Sequence, residues 1–115
     1  AFLDADDWWT VDKLEICVKL TSECDVIYHN MYVVTDEKKP QNKITRCRKL
    51  LEPPFQDLLF SGNTLSTSSV VVRKNFFEEI GFFRTKNKFR AWEDYDAWLR
   101  LALNHGKFKF VHKKR

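Results

Sequence analysis

The spacing of apolar side chains changes period several times along these 115 residues. From Trp92 to Asn104 they recur at Tyr95, Trp98, Leu99, Ala102 and Leu103, which places them on one face of a predicted helix. Asp96 and Arg100 fall four apart as an outward-facing pair, and Gly106 suits the helix end. Thr10 is a fitting cap for another helix running to about Ser22, with Leu14, Cys17, Val18 and Thr21 along one side. Pro53-Pro54 opens a short helix over FQDLLF, and NFFEEI reads as a further one that stops at Gly81. Between these lie strand patterns. AFL reads as the end of a buried strand, DVIYHNMYVVT (Asp25–Thr35) as one long strand, LSTSSVVVR (Leu65–Arg73) as a second and KFKFVH as the last. The polar loop DEKKPQNK separates the long strand from Ile44–Lys49, which reads as its returning hairpin partner, and Ser61-Gly62-Asn63 as a turn. Strands alternating with helices predict an α/β layered fold.

Composition fits one small soluble domain. Hydrophobic residues are 43% and charged residues 31%, so disorder is not expected. Ten Phe, four Trp and three Tyr supply enough volume for a core. No apolar run approaches the roughly 20 residues of a membrane helix. Cys17, Cys24 and Cys47 form no C-x-x-C pair, a spacing that argues against zinc and against a disulfide framework and points to a reducing cytoplasm. The net charge of +4 is unevenly placed: residues 1–7 hold only acids, whereas residues 107–115 hold only bases. The HKKR tail suits a solvated terminus, or attraction to phosphates or to the face of an anionic membrane.

Three clusters carry candidate chemistry. Asp4 and Asp6, two apart in FLDADD, would share one face of an extended segment with Cα atoms roughly 6.5–7 Å apart, a span that one divalent ion can bridge. Carboxylate oxygens suit Mg2+ or Mn2+. The same acids also suit a turn that caps the following helix, with Asp7 or Thr10 as the cap. Glu93 and Asp94 open the predicted helix of residues 92–104, where negative charge is favoured by the unpaired amides. Trp92 and Tyr95 flank them as a stacking surface, and a carboxylate so placed can act as a general base toward a hydroxyl. Thr67, Ser68 and Ser69 gather hydroxyls suited to a polyol or phosphate, or to local backbone groups.

Taken in order, FLDADDWW followed by KLE, the DVIYHN strand, TSSVVVRK, FEEIG-x-F and WEDYDAWLRLA resemble the family 2 glycosyltransferases of GT-A fold, over almost the whole chain. The resemblance implies a mixed sheet flanked by helices. It also implies an enzyme that moves a sugar from a nucleotide-diphosphate sugar donor to a hydroxyl of a saccharide or lipid-linked acceptor, with inversion, in bacterial polysaccharide or glycolipid synthesis. Asp4-Ala5-Asp6 then looks like the D-x-D motif that holds Mn2+ or Mg2+, and Asp94 like the catalytic base. Thr67, Ser68, Ser69, Trp92 and Glu93 become substrate contacts. Where the family usually shows Gly-Gly-Phe, this chain has Gly81-Phe82-Phe83. The resemblance further implies that the nucleobase-reading half of the domain precedes Ala1, which makes this chain the metal and acceptor side and inactive by itself.

A rival class is a non-enzymatic carbohydrate- or nucleic-acid-binding module, suggested by bases interleaved with aromatics in KNFFEEIGFFRTKNKFRAW. The DADD cluster repels nucleic acid, so that partner is not expected. A sheet edge left open by a missing half predicts self-association into a homodimer or larger assembly. Light scattering at tens of micromolar checks this, and a monodisperse monomer would count against it.

Overall fold

Val26–His29 is buried at every position and forms β1, the centre of a mixed sheet. β4 (Val71–Val72) pairs with it antiparallel and β5 (Phe108–Val111) parallel. The computed structural model describes residues 1–34, 40–45, 47–85 and 91–112. Side chains alternate across β1. Val26 and Tyr28 enter a large core with Leu58 of α2 (Pro54–Ser61), Phe77 of α3 (Lys74–Glu79) and Trp98 of α4 (Glu93–Leu103). Ile27 points the other way, to Cys17 of α1 (Lys13–Leu20). Helices on both faces explain why this strand is buried throughout. The chain is therefore a small α/β domain.

Trp98 is fully buried, and Phe2 and Phe83 pack on it with ring centroids 5.9 and 6.0 Å away. Phe2 also contacts Phe77 at 5.2 Å, which fastens the first residues to the core. AFL is nevertheless not a strand. Its amide at Phe2 meets the Val70 carbonyl at 3.3 Å, and Leu3 turns to solvent.

The helices over FQDLLF and NFFEEI and the strand in KFKFVH lie where the pattern puts them. Other elements differ. The long strand breaks at Asn30, whose side-chain Oδ1 accepts the Cys47 amide at 2.7 Å. Beyond the break, β2 (Met31–Val34) leaves the central sheet and pairs with β3 (Pro40–Thr45), so the hairpin partner begins earlier than Ile44. Residues 36–39 of the polar loop and 113–115 of the basic tail lie outside the described residues. LSTSSVVVR is a 3-10 turn at Thr67–Ser69 followed by the two residues of β4, because the Ser69 and Val70 amides turn back to the carbonyls of Ser66 and Thr67.

The buried faces of two helices are rotated from expectation. In α1 Lys13 and Cys17 are buried, while Leu14 and Val18 are exposed. Asp12, not Thr10, occupies the residue before the helix. In α4 the buried residues are Ala97, Trp98, Leu101 and Ala102, and Leu103 faces out. The cause is polar. Arg100 pairs with Asp96 at 2.9 Å and donates to the Ile80 and Phe82 carbonyls, which draws the expected outer pair inward until each side chain is less than a fifth exposed. Among the described residues, no helix is long and apolar enough to cross a membrane.

α4 ends in a Schellman motif: the His105 amide bonds the Ala102 carbonyl and the Gly106 amide the Leu101 carbonyl. His105 takes the left-handed conformation (φ 63°) that glycine usually fills. Gly106 serves a different need. A Cβ there would meet the Leu101 carbonyl oxygen at 2.8 Å and the Phe76 ring at 2.9 Å. Gly106→Ala should therefore destabilise the fold by about 1–3 kcal/mol, read as a lower midpoint in thermal unfolding. An unchanged midpoint would show that the Phe76 ring gives way freely.

Candidate functional site

The acidic segment is a turn. The Asp7 amide bonds the Asp4 carbonyl at 3.1 Å, which replaces the extended geometry expected for Asp4 and Asp6 with a four-residue reversal. Such a reversal brings the Cα atoms of Asp4 and Asp7 within about 7 Å, so the first and last acids of the turn are the ones drawn together. Asp4 and Asp6 are exposed and Asp7 is half-buried.

What holds this turn is Ser68, which is completely buried. Its Oγ accepts the Asp4 amide at 2.9 Å and donates to Asp7 Oδ2 at 2.6 Å. Its carbonyl oxygen accepts the Trp9 indole at 2.8 Å and the Lys13 ammonium at 2.6 Å. The neighbouring Thr67 donates from Oγ1 to Asp94 Oδ2 at 3.1 Å, and the Tyr95 amide donates to Asp94 Oδ1 at 2.7 Å. One short 3-10 turn thus joins the acidic turn to the first turn of α4. The three clusters singled out in the sequence converge.

Their roles divide by burial. Ser69 is fully buried and its hydroxyl is committed to the Ser66 carbonyl at 2.6 Å, so Ser68 and Ser69 build the site from beneath. Thr67, Glu93 and Asp94 are half-buried beside it. Glu93 has a buried Oε2 without a hydrogen-bond partner among the described residues. Such an oxygen is a ready acceptor for a hydroxyl brought by a ligand. Trp92 is 63% exposed, with its ring centroid 6.3 Å from that of Tyr95. It presents an open aromatic face next to these acids.

A small cleft of about 50 Å3 beside Asp7 is lined by Asp7, Trp8, Thr10, Met31, Tyr32 and Val34. A larger recess of about 550 Å3, lined in part by Glu52, Pro53, His105 and Lys107, holds none of the sequence-selected residues. Of the residues in the polar network, only Asp7 reaches the smaller cleft.

Lys13 and Asp7 complete the site, and neither was selected from the sequence as a site residue. Asp7 was seen only as a cap. Lys13 was available as a lysine four residues before Cys17, on what becomes the buried face of α1. It is fully buried, its ammonium lies 4.7 Å from the Trp9 ring centroid, and burial holds its pKa down at about 8 against a smaller upward pull from Cys17.

The donor set suits a hard ion only in part. Among the described residues no three His, Cys, Asp or Glu side chains gather to hold a metal by themselves. Two exposed carboxylates fit a Mg2+-type ion that takes its remaining oxygens from water and substrate phosphates. Compared with protein-family models, curated proteins and solved structures, the chain matches none.

Ser68→Ala removes the anchor of the Asp4 amide and leaves Asp7 without its hydroxyl partner. It should cost about 1–3 kcal/mol in chemical denaturation, against about 0.5–1 kcal/mol for Thr67→Ala, whose hydroxyl is half-exposed. Equal costs would show that the Ser68 link carries no special weight.

Proposed function

We propose that this chain forms the metal- and acceptor-side part of a GT-A glycosyltransferase domain, acting in the transfer of a sugar from a nucleotide-diphosphate donor to an acceptor hydroxyl. The observation that supports this most is the hydrogen-bond path from Asp4 and Asp7 through Ser68 and Thr67 to Asp94. An unrelated capping turn has no reason to be tied to the acids of a helix more than eighty residues away.

In this reading Asp4 and Asp6 hold Mn2+ or Mg2+, with Asp6 the more direct ligand. When bound, such an ion would supply Lewis-acid neutralisation of the negative charge on a diphosphate leaving group. Asp94 accepts the proton of the attacking hydroxyl, and Thr67 fixes one of its carboxylate oxygens so that the group keeps its orientation. Glu93 accepts a further substrate hydroxyl through its unpartnered oxygen, and Trp92 stacks on a sugar face. A base and a leaving-group stabiliser on either side of the anomeric carbon are what an inverting displacement requires. The acidic surface at the turn disfavours nucleic acid as a partner.

Two measurements test this. Free Mn2+ counted by electron paramagnetic resonance, with UDP or GDP present, should fall when the chain is added, and Asp4→Asn with Asp6→Asn should abolish the effect. In a protein that contains this chain and transfers sugar, Asp94→Asn should lower nucleotide-diphosphate release from a donor sugar by about 10^2–10^4 while Mn2+ binding is retained. Retained transfer in Asp94→Asn would remove the base from this reading. Mn2+ binding indifferent to both aspartates would remove the metal site.

A further inference from the structure

Lys13 is a charged group in an apolar place. It is completely buried, and among the described residues no carboxylate forms an ion pair with it. Burying an ammonium without a counter-ion is costly, and an apolar residue of similar size would serve the packing of α1 more cheaply. Fold stability is therefore a poor explanation for a lysine at this position.

Its contacts suggest another. The ammonium donates to the Ser68 carbonyl at 2.6 Å, and the Trp9 indole donates to the same oxygen at 2.8 Å, so the two donors occupy both lone pairs. The ammonium also lies over the Trp9 ring at 4.7 Å, which holds the second donor in place by a cation–π contact. With its carbonyl fixed in this way, Ser68 presents its hydroxyl to the Asp4 amide and to Asp7 Oδ2. Two of the four groups fastened by Ser68 belong to the acidic turn, and the other two are Lys13 and the tryptophan it touches. A neutral donor alone would give a weaker bond than the charge-assisted one at the ammonium.

We propose that Lys13 is a positioning residue: its buried ammonium locks the Ser68 carbonyl, so that the Ser68 hydroxyl holds the Asp4–Asp7 turn beside Thr67 and Asp94. The catalytic meaning of that placement rests on the sugar-transfer reading above, whereas the lock itself does not. Lys13 touches no reacting atom. It acts through Ser68.

Lys13→Met keeps most of the side-chain volume and removes the charge and the donor. The variant should unfold at a midpoint near that of the unmutated chain. Its Asp4 amide should exchange with solvent about tenfold faster, the loss expected for one charge-assisted hydrogen bond, while the Leu101 amide in α4 is unchanged. A merely structural lysine would raise exchange in both places or in neither. Mn2+ affinity, measured with the metal alone, should weaken by a similar factor. Unchanged Asp4 exchange in a folded Lys13→Met variant overturns the lock, whatever Mn2+ does. Failure of the unmutated chain to bind Mn2+, with or without UDP or GDP, overturns the metal reading and leaves the exchange result to decide Lys13. Should Lys13→Met not fold, the unmutated chain decides instead. Its Asp4 amide resonance should shift in step with deprotonation of the Lys13 ammonium as pH is raised, and separate midpoints overturn the proposal.

Discussion

A buried serine must satisfy its hydroxyl and its carbonyl inside the protein, because water cannot reach them. At Ser68 that requirement determines the arrangement of everything around it. The hydroxyl takes the Asp4 amide and gives its proton to Asp7, and the carbonyl takes Trp9 and Lys13. The acidic turn, the entry to α1 and the segment leading into β4 are thereby fixed relative to one another. The Ser68 hydroxyl and carbonyl each serve two partners, so the four groups are oriented together.

The second constraint is the aromatic core that carries α4. Trp98 lies at its centre, with Phe2, Phe77 and Phe83 around it in tilted and edge-on contacts. Phe2 belongs to the same short segment as the acidic turn, and Trp98 to the same helix as Glu93 and Asp94. Apolar packing thus brings the two acidic clusters near each other, and the Ser68–Thr67 bonds set their orientation. Burial supplies the proximity because it is non-directional, and hydrogen bonds supply the aim.

Three residues are held in the left-handed region without being glycine, two of them flanking α4. Phe82 has φ 62°, Ala91 has φ 67° and His105 has φ 63°. Each costs about 1–2 kcal/mol relative to an ordinary backbone. Phe82 follows Gly81 and adopts a conformation that glycine would favour. Its ring recovers part of that cost against Phe77, at a centroid distance of 5.5 Å.

Several local features were readable from the amino-acid order alone. Two helices, the final strand and the α/β alternation follow from periods and prolines, since these reflect backbone geometry within a few residues. The residues that bear the candidate chemistry were readable too, because clustered acids, hydroxyls and flanking tryptophans are local signals. What the order could not supply was the set of contacts between distant segments. The long strand breaks because Asn30 is needed by the amide of Cys47. α4 turns because Arg100 reaches carbonyls at Ile80 and Phe82. The serines become supports because the fold buries them, and a lysine becomes part of the site because α1 presents that side to Ser68. Periodicity reports which positions are apolar, but a buried polar group chooses its orientation by the partner it finds, and that partner is known only once the chain has folded.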